Sequence, residues 1–340
     1  MISNFTIHDI FSLLIAIFLF PVVSVFPGFA IGWATDIFSF RHRTRPAQYV
    51  MPIALSNAVV PTLLFLGFRF FSNQVGVASI LVFTVFWAAI EIWRLPRSRI
   101  SFQLATWEKA ALAMGVIWII FCIVLLVDLQ IGERLYFNAA AHDYTTRTAL
   151  IEAITRTGIP PVNSGYFPGH LERITQLYYF WYIPESVIDT LGKGWVDARI
   201  AMFAGITWTG LALMATLATY LRIRNRYTGA NAWQDSILGS QLFAISGLDV
   251  IPIVGLMIAV RTLSGIVPFD GRIEGWNMPI MSWLNALTWV PNHVSGMAAC
   301  IIALLAIVTS LRASNPQRLV SVVIAGFSIG SALGSSIWVA

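Results

Sequence analysis

Charge is what this sequence has least of. Asp, Glu, Lys and Arg make up 11% of its 340 residues, while 57% are hydrophobic and 13% aromatic. A soluble domain carries about 25% charged residues, so the composition excludes an ordinary water-soluble fold and points to a bilayer. The small excess of 21 Lys and Arg over 16 Asp and Glu falls in short clusters between apolar runs. No basic face or tail gathers it, which argues against a nucleic-acid partner and fits a role in orienting spans. Cysteine is scarce as well. Cys122 and Cys300 both lie inside apolar runs, read as small hydrophobic residues, and leave no disulfide framework or cysteine metal motif. The N-terminal MISNFTIHD lacks the basic start of a signal peptide, and the apolar run after it is too long for one, so it reads as a retained first span.

What the chain has in quantity is long apolar stretches. A span needs roughly 20 mostly apolar residues. Stretches 10–34, 47–68, 77–93, 110–127, 200–221, 236–260, 294–311 and 319–340 qualify, with Pro21 and Pro27 placed to kink the first. Irregular backbone cannot face lipid, so each is expected to be helical. The fold class is therefore all-α integral membrane, with about eight transmembrane helices and short interfacial helices in a large outer loop. The chain divides into an N-terminal three-span segment, 1–109, and a membrane module, 110–340, with large loops at 128–199 and 261–293. The last apolar run reaches Ala340 with no polar tail after it, which reads as a module incomplete at its C-terminus.

The basic clusters set the expected orientation. Arg41, Arg43 and Arg45 follow the first span, Arg94, Arg97 and Arg99 the third, Arg222, Arg224 and Arg226 the fifth, and Arg312 with Arg318 the seventh. They fall on every second loop, so all can be cytoplasmic together. The N-terminus and both large loops then face outward across the cell membrane. Eleven of the acidic residues, among them Asp9, Asp128, Asp143, Glu185 and Glu274, fall on that outer side.

The first large loop holds most of the polar chemistry. Asp143 reads as the N-cap of a short helix, 144–157, closed by Gly158 and Pro160-Pro161. Leu150, Ile151 and Ile154 share one side of it, which suits a helix lying along the membrane surface. Arg147 is one turn from Asp143 and can pair with it. Asp143 is thus either a cap paired with Arg147 or a carboxylate held at the membrane edge as a general base. The run Tyr178-Tyr179-Phe180-Trp181-Tyr182 reads as an aromatic belt at headgroup level, which does not prevent it from stacking on a sugar or a prenyl chain. His170, Glu172 and Arg173 precede it and can share a pocket mouth with Asp143. His142 and His170 are the candidate ligands for a divalent metal, without any tight histidine spacing to support one.

In the second loop, Arg272, Glu274, Trp276 and Asn277 precede a short amphipathic piece, 279–289, that Trp283 and Trp289 anchor at the interface. His293 opens the next span, as a local hydrogen-bonding residue or as part of a site. Asp249 lies in the middle of 236–260, where a carboxylate costs several kcal/mol unless paired or protonated. It marks either a helix contact or a functional intramembrane site.

The runs HDYTTRTALIEAITRTGIPPVNSGYFPG with YYFWY after it, GLDVIP, and IEGWN with WVPNHV together resemble a group of polytopic bacterial membrane proteins placed near the GT-C superfold of glycosyltransferases. The resemblance covers roughly 110–310. It departs from the pattern in having three spans before the acidic loop, so that 110–127 takes the first-span role, and in Gly275 where the group tends to carry Trp. What it implies is an enzyme that moves a hexose or pentose from a polyprenyl-phosphate carrier to an acceptor on the extracytoplasmic side. Asp143 would be its catalytic residue, and Arg147, His170, Arg173, Glu274 and His293 would bind donor phosphate and substrate. The competing readings are a secondary transporter using Asp249 and a non-catalytic membrane subunit.

Overall fold

The computed structural model describes residues 3–94, 106–137, 141–163, 165, 172–174, 178–228, 283–311 and 313–337, with the main chain alone at 106–108, 110, 111, 141, 142, 224–228, 284 and 285. The chain opens with α1 (Asn4–Leu19), α2 (Pro21–Ser24) and α3 (Phe26–Thr35). These are one apolar stretch of 32 residues, Asn4–Thr35, broken at Phe20 and Val25. Pro21 begins α2 and Pro27 stands in the first turn of α3, where a missing N–H costs nothing. The break orphans N–H groups at the start of α3. Ser56 Oγ of the next helix accepts one of them, from Gly28 N at 2.8 Å.

Then follow α4 (Arg45–Phe70), α5 (Asn73–Arg94), α6 (Thr106–Leu126), a hairpin of β1 (Leu129–Ile131) and β2 (Arg134–Tyr136), and α7 (Ala141–Thr157). After them come α8 (Tyr182–Gly192), α9 (Ala198–Thr228), α10 (Trp283–Trp289), α11 (Pro291–Ser310) and α12 (Asn315–Ser335). Among the described residues six segments are long and apolar enough to cross a membrane: the kinked first stretch, α4, α5, α9 through Ile223, α11 and α12. A shorter apolar helix, Leu112–Leu126, lies within α6. The expected span at 236–260, with Asp249, falls outside the described residues, as do His170, Glu274 and residues 261–282 of the second large loop.

The outer faces of these helices carry Phe11, Phe18, Val85, Ile92, Ile117, Val124 and Leu319, all well exposed, as lipid-facing side chains should be. The inner faces use small and hydroxylated residues, which let helices approach closely in lipid. Asn57 of α4 donates to Ser295 O of α11 (3.1 Å) and accepts from Ser295 Oγ (2.8 Å). Thr62 of α4 donates to Phe327 O of α12 at 3.0 Å and meets Ser331 Oγ at 2.9 Å.

The two ends of the bundle differ in charge chemistry. At one end Arg41 donates to Trp33 O (2.6 Å) and Ala34 O (2.9 Å), filling the open carbonyls at the end of α3. Arg45 and Arg94 both reach Glu91, at 3.0 and 2.9 Å, and Arg94 also lies over the ring of Trp33. Arg222 of α9 donates to Thr44 Oγ1 at this end, at 3.4 Å. At the opposite end Arg199, beginning α9, pairs with Asp9 of α1 and with Asp128 just after α6 (2.9 Å to the latter). Thr6 ties the same two elements, donating to Asp128 O (3.1 Å) and accepting from Gln130 N (2.8 Å).

Candidate anion site and a re-entrant helix

At the Arg199 end, α7 crosses the bundle. Fourteen residues separate Asp143 from Thr157, which at 1.5 Å each is about 21 Å. The helix begins at Ala141, so Asp143 lies inside its first turn and is not the N-cap. Gly158, at φ +74°, ends it as the sequence predicts. The apolar side, with Leu150, Ile151 and Ile154 buried, packs on α8 and α9. This face is covered by protein, not laid on lipid as expected from its pattern.

Each end of α7 is fastened. At the C-terminal end, Asn73 of α5 donates to Ile154 O at 3.1 Å. Arg173 donates to Pro160 O at 2.6 Å and Thr157 O at 3.3 Å. At the N-terminal end, the Tyr144 hydroxyl donates to Thr288 O of α10 at 2.6 Å, and the Trp289 indole N–H donates to the Asp143 carboxylate. His293, one turn beyond Trp289, meets Ser336 Oγ through Nδ1 at 2.6 Å and faces the Tyr178 ring, 6.5 Å between centroids.

Arg147 stands inside this N-terminal cluster. Its charge is felt at the phenols of Tyr144 and Tyr182 and at the His293 ring. Burial pushes the Tyr182 hydroxyl up to about 12, against the smaller opposing pull of Arg147, and Tyr144 is raised for the same reason. Both phenols are therefore protonated at neutral pH, and the Tyr144 O–H is engaged by Thr288 O. Arg147 Nη1 is buried and has no hydrogen-bond partner among the described residues. A buried guanidinium N–H left without an acceptor is costly, and an anion is what satisfies it best.

Of the residues singled out in the sequence, Asp143, Arg147 and His293 come together here. Arg173 does not; it sits at the far end of α7 with its guanidinium engaged by main-chain oxygens. The side chain of His142 and all of His170, Glu274 and Asp249 lie outside what is described. Among the described residues no group of three or more His, Cys, Asp or Glu could hold a metal ion, so no step is assigned to a divalent metal.

The aromatic run corrects the sequence reading most. Tyr179, Trp181 and Tyr182 are buried; they do not form a belt at the headgroups. Phe180 N donates to Gly334 O of α12 at 3.1 Å, and its ring stacks on Phe65 with centroids 4.4 Å apart. Trp181 donates to Thr209 Oγ1 at 2.9 Å. Thr209 is eleven residues into α9, about 16 Å below its start, which is half the thickness of a bilayer core. From there α8 climbs back beside α9 and turns at Lys193 (φ 40°) and Gly194 (φ 88°). Residues 178–192 thus form a re-entrant segment within what reads as an outer loop, and irregular backbone at that depth is tolerated because protein surrounds it.

The re-entrant helix carries Glu185 into the interior. Glu185 is 2% exposed, and its Oε2 has no hydrogen-bond partner among the described residues. Burial holds its carboxyl well above the usual carboxylate range. Gly205 of α9 makes room, since a Cβ there would collide with the Glu185 carboxyl. Sequence reasoning placed Glu185 only among the outer acids, because between Pro184 and Ser186 it reads as ordinary loop; its one further signal was a negative charge three residues after an aromatic run.

Comparison with known proteins adds little. No family model matches the chain, and no solved structure matches it. It is similar to the uncharacterized protein y4nK of Sinorhizobium fredii (strain NBRC 101917 / NGR234), at 24% identity over 332 residues, 93% of this chain and 45% of that protein. The chain spans less than half the length of this relative.

Proposed function

We propose that the protein is an integral-membrane glycosyltransferase that moves a sugar from a polyprenyl-phosphate donor to an acceptor on the extracytoplasmic side of the cell membrane. The observation that carries this reading is the buried Nη1 of Arg147, without a partner among the described residues and one helical turn from the Asp143 carboxylate. The prenyl chain would lie in lipid while its phosphate meets Arg147 and the phenolic hydroxyl of Tyr182. Asp143, held by the Trp289 indole, would take the proton of an acceptor hydroxyl. The acceptor oxygen then bonds to the anomeric carbon as the bond from that carbon to the phosphate oxygen breaks. Arg147 stabilises the charge on the departing lipid phosphate. The basic clusters at the opposite end support placing this end outside.

The test is transfer of label from a radiolabelled polyprenyl-phosphate hexose or pentose to membrane acceptors by the purified protein in nanodiscs. Wild type should transfer, and Asp143→Asn should be slower by a factor of about 10² to 10⁴. Equal rates would remove Asp143 from the chemistry. No transfer from either donor by the wild type would remove the reading itself.

A further inference from the structure

The Glu185 carboxyl borders a partly open cavity of about 40 Å³, room for roughly three water-sized bodies. Its wall comes from the kinked first stretch, α4, α8, α9 and α11, and includes Ser24, Ser56, Asn57, Thr209 and Ser295. The donors of this wall are largely engaged within the protein. Ser24 donates to Phe20 O (2.9 Å), Thr209 to Gly205 O (2.8 Å), Ser295 to Asn57 Oδ1 (2.8 Å) and Asn57 Nδ2 to Ser295 O (3.1 Å). What these groups still present is oxygen lone pairs. A carboxylate among such oxygens needs a positive species beside it, either its proton or a cation, and a space this small admits only a compact one. Hard cations take oxygen ligands of this kind.

We propose that Glu185, with the hydroxyl and amide oxygens of this cavity, forms a binding site for a small monovalent cation of the sodium class, which exchanges with the proton of the Glu185 carboxyl. The exchange balances as carboxylic acid plus Na⁺ giving sodium carboxylate plus H⁺, with no change in the charge buried. Among the described residues no other titratable side chain lines the cavity: the first stretch, α4, α9 and α11 contribute none to its wall. On α8 itself Tyr182 is the neighbour, with Arg147 of α7 beyond it, and Asp189 is one turn on, accepting from Thr155 Oγ1 at 2.7 Å. The site stands independently of the sugar-transfer reading, whose assay is run in sodium-free buffer.

The test is infrared difference spectroscopy on the full chain in nanodiscs, exchanging choline chloride for NaCl at fixed pH. The wild type in choline should show the C=O band of a protonated buried carboxyl, absent from Glu185→Gln, an isosteric change that preserves the neutral form. NaCl should remove that band, with the half-saturating concentration falling about tenfold per unit rise in pH, as one-for-one exchange requires. A band indifferent to NaCl at every pH, or the same NaCl response in Glu185→Gln, would overturn the proposal. If Glu185→Gln fails to fold, the pH dependence in the wild type decides alone.

Discussion

Two arginines at the same end of the bundle show how differently a protein can use one side chain. Arg199 is spoken for: it bridges Asp9 and Asp128, both nearly buried, and its guanidinium lies near the rings of Phe5 and Phe203. Arg147 is held just as firmly by α7, yet its Nη1 has no partner among the described residues. The first joins three elements, α1, the end of α6 and the start of α9. The second is a positive charge kept open by its surroundings, and the difference separates a structural tie from a candidate binding group.

The comparison breaks most visibly if Arg199 is removed. Arg199→Leu leaves two buried carboxylates without their cation, and such losses cost about 3–5 kcal/mol. Thermal unfolding in detergent should show it, and an unchanged midpoint would mean that Arg199 is no tie. Next in size is Gly205→Ala, which drives a methyl into the Glu185 carboxyl and should cost about 1–3 kcal/mol as overpacking, read by the same measurement.

Glu185→Gln acts through pH. The folded-state value is raised above the ordinary 4.5, so the stability that the neutral carboxyl contributes is complete below 4.5 and is lost as pH rises toward the folded value. In sodium-free buffer the wild type should therefore lose stability relative to Glu185→Gln across that window, by at most about 1.4 kcal/mol per unit. Parallel pH profiles would show that Glu185 is not buried as an acid. The smallest stability effect belongs to Arg147→Met, which removes a charge whose Nη1 has no partner among the described residues and should stay within about 0.5 kcal/mol. It should nevertheless raise KM for a polyprenyl-phosphate donor. A large loss of stability would place Arg147 beside Arg199 as a tie.

Much of the scaffold was legible because lipid imposes a plain rule: among the described residues the long apolar runs are helices at nearly the expected positions, and Pro21 and Pro27 mark the breaks in the first. Grouping arginines by loop also anticipated that Arg41, Arg45, Arg94 and Arg222 share an end. The site was legible only in part. Asp143 and Arg147 were found because one helical turn separates them, but their pairing was not, since the Trp289 indole, 146 residues away, engages Asp143. Arg173 was misplaced because nearness in sequence says nothing about which end of α7 a returning chain meets. The depth of Tyr178–Tyr182 was hidden for a physical reason: an amphipathic ring suits an interface and a buried hydrogen bond equally well, and Thr209 supplies the latter for Trp181.

Because α7 is pinned at Tyr144 and Thr288 on one side and at Asn73 and Ile154 on the other, it behaves as a rigid crossbeam. A ligand bound at Arg147 as proposed would pull on one bearing of that beam, and the turn between α4 and α5 would carry the reaction force some 20 Å away. A spin or fluorescent label at exposed Phe71 should therefore register a ligand it never touches.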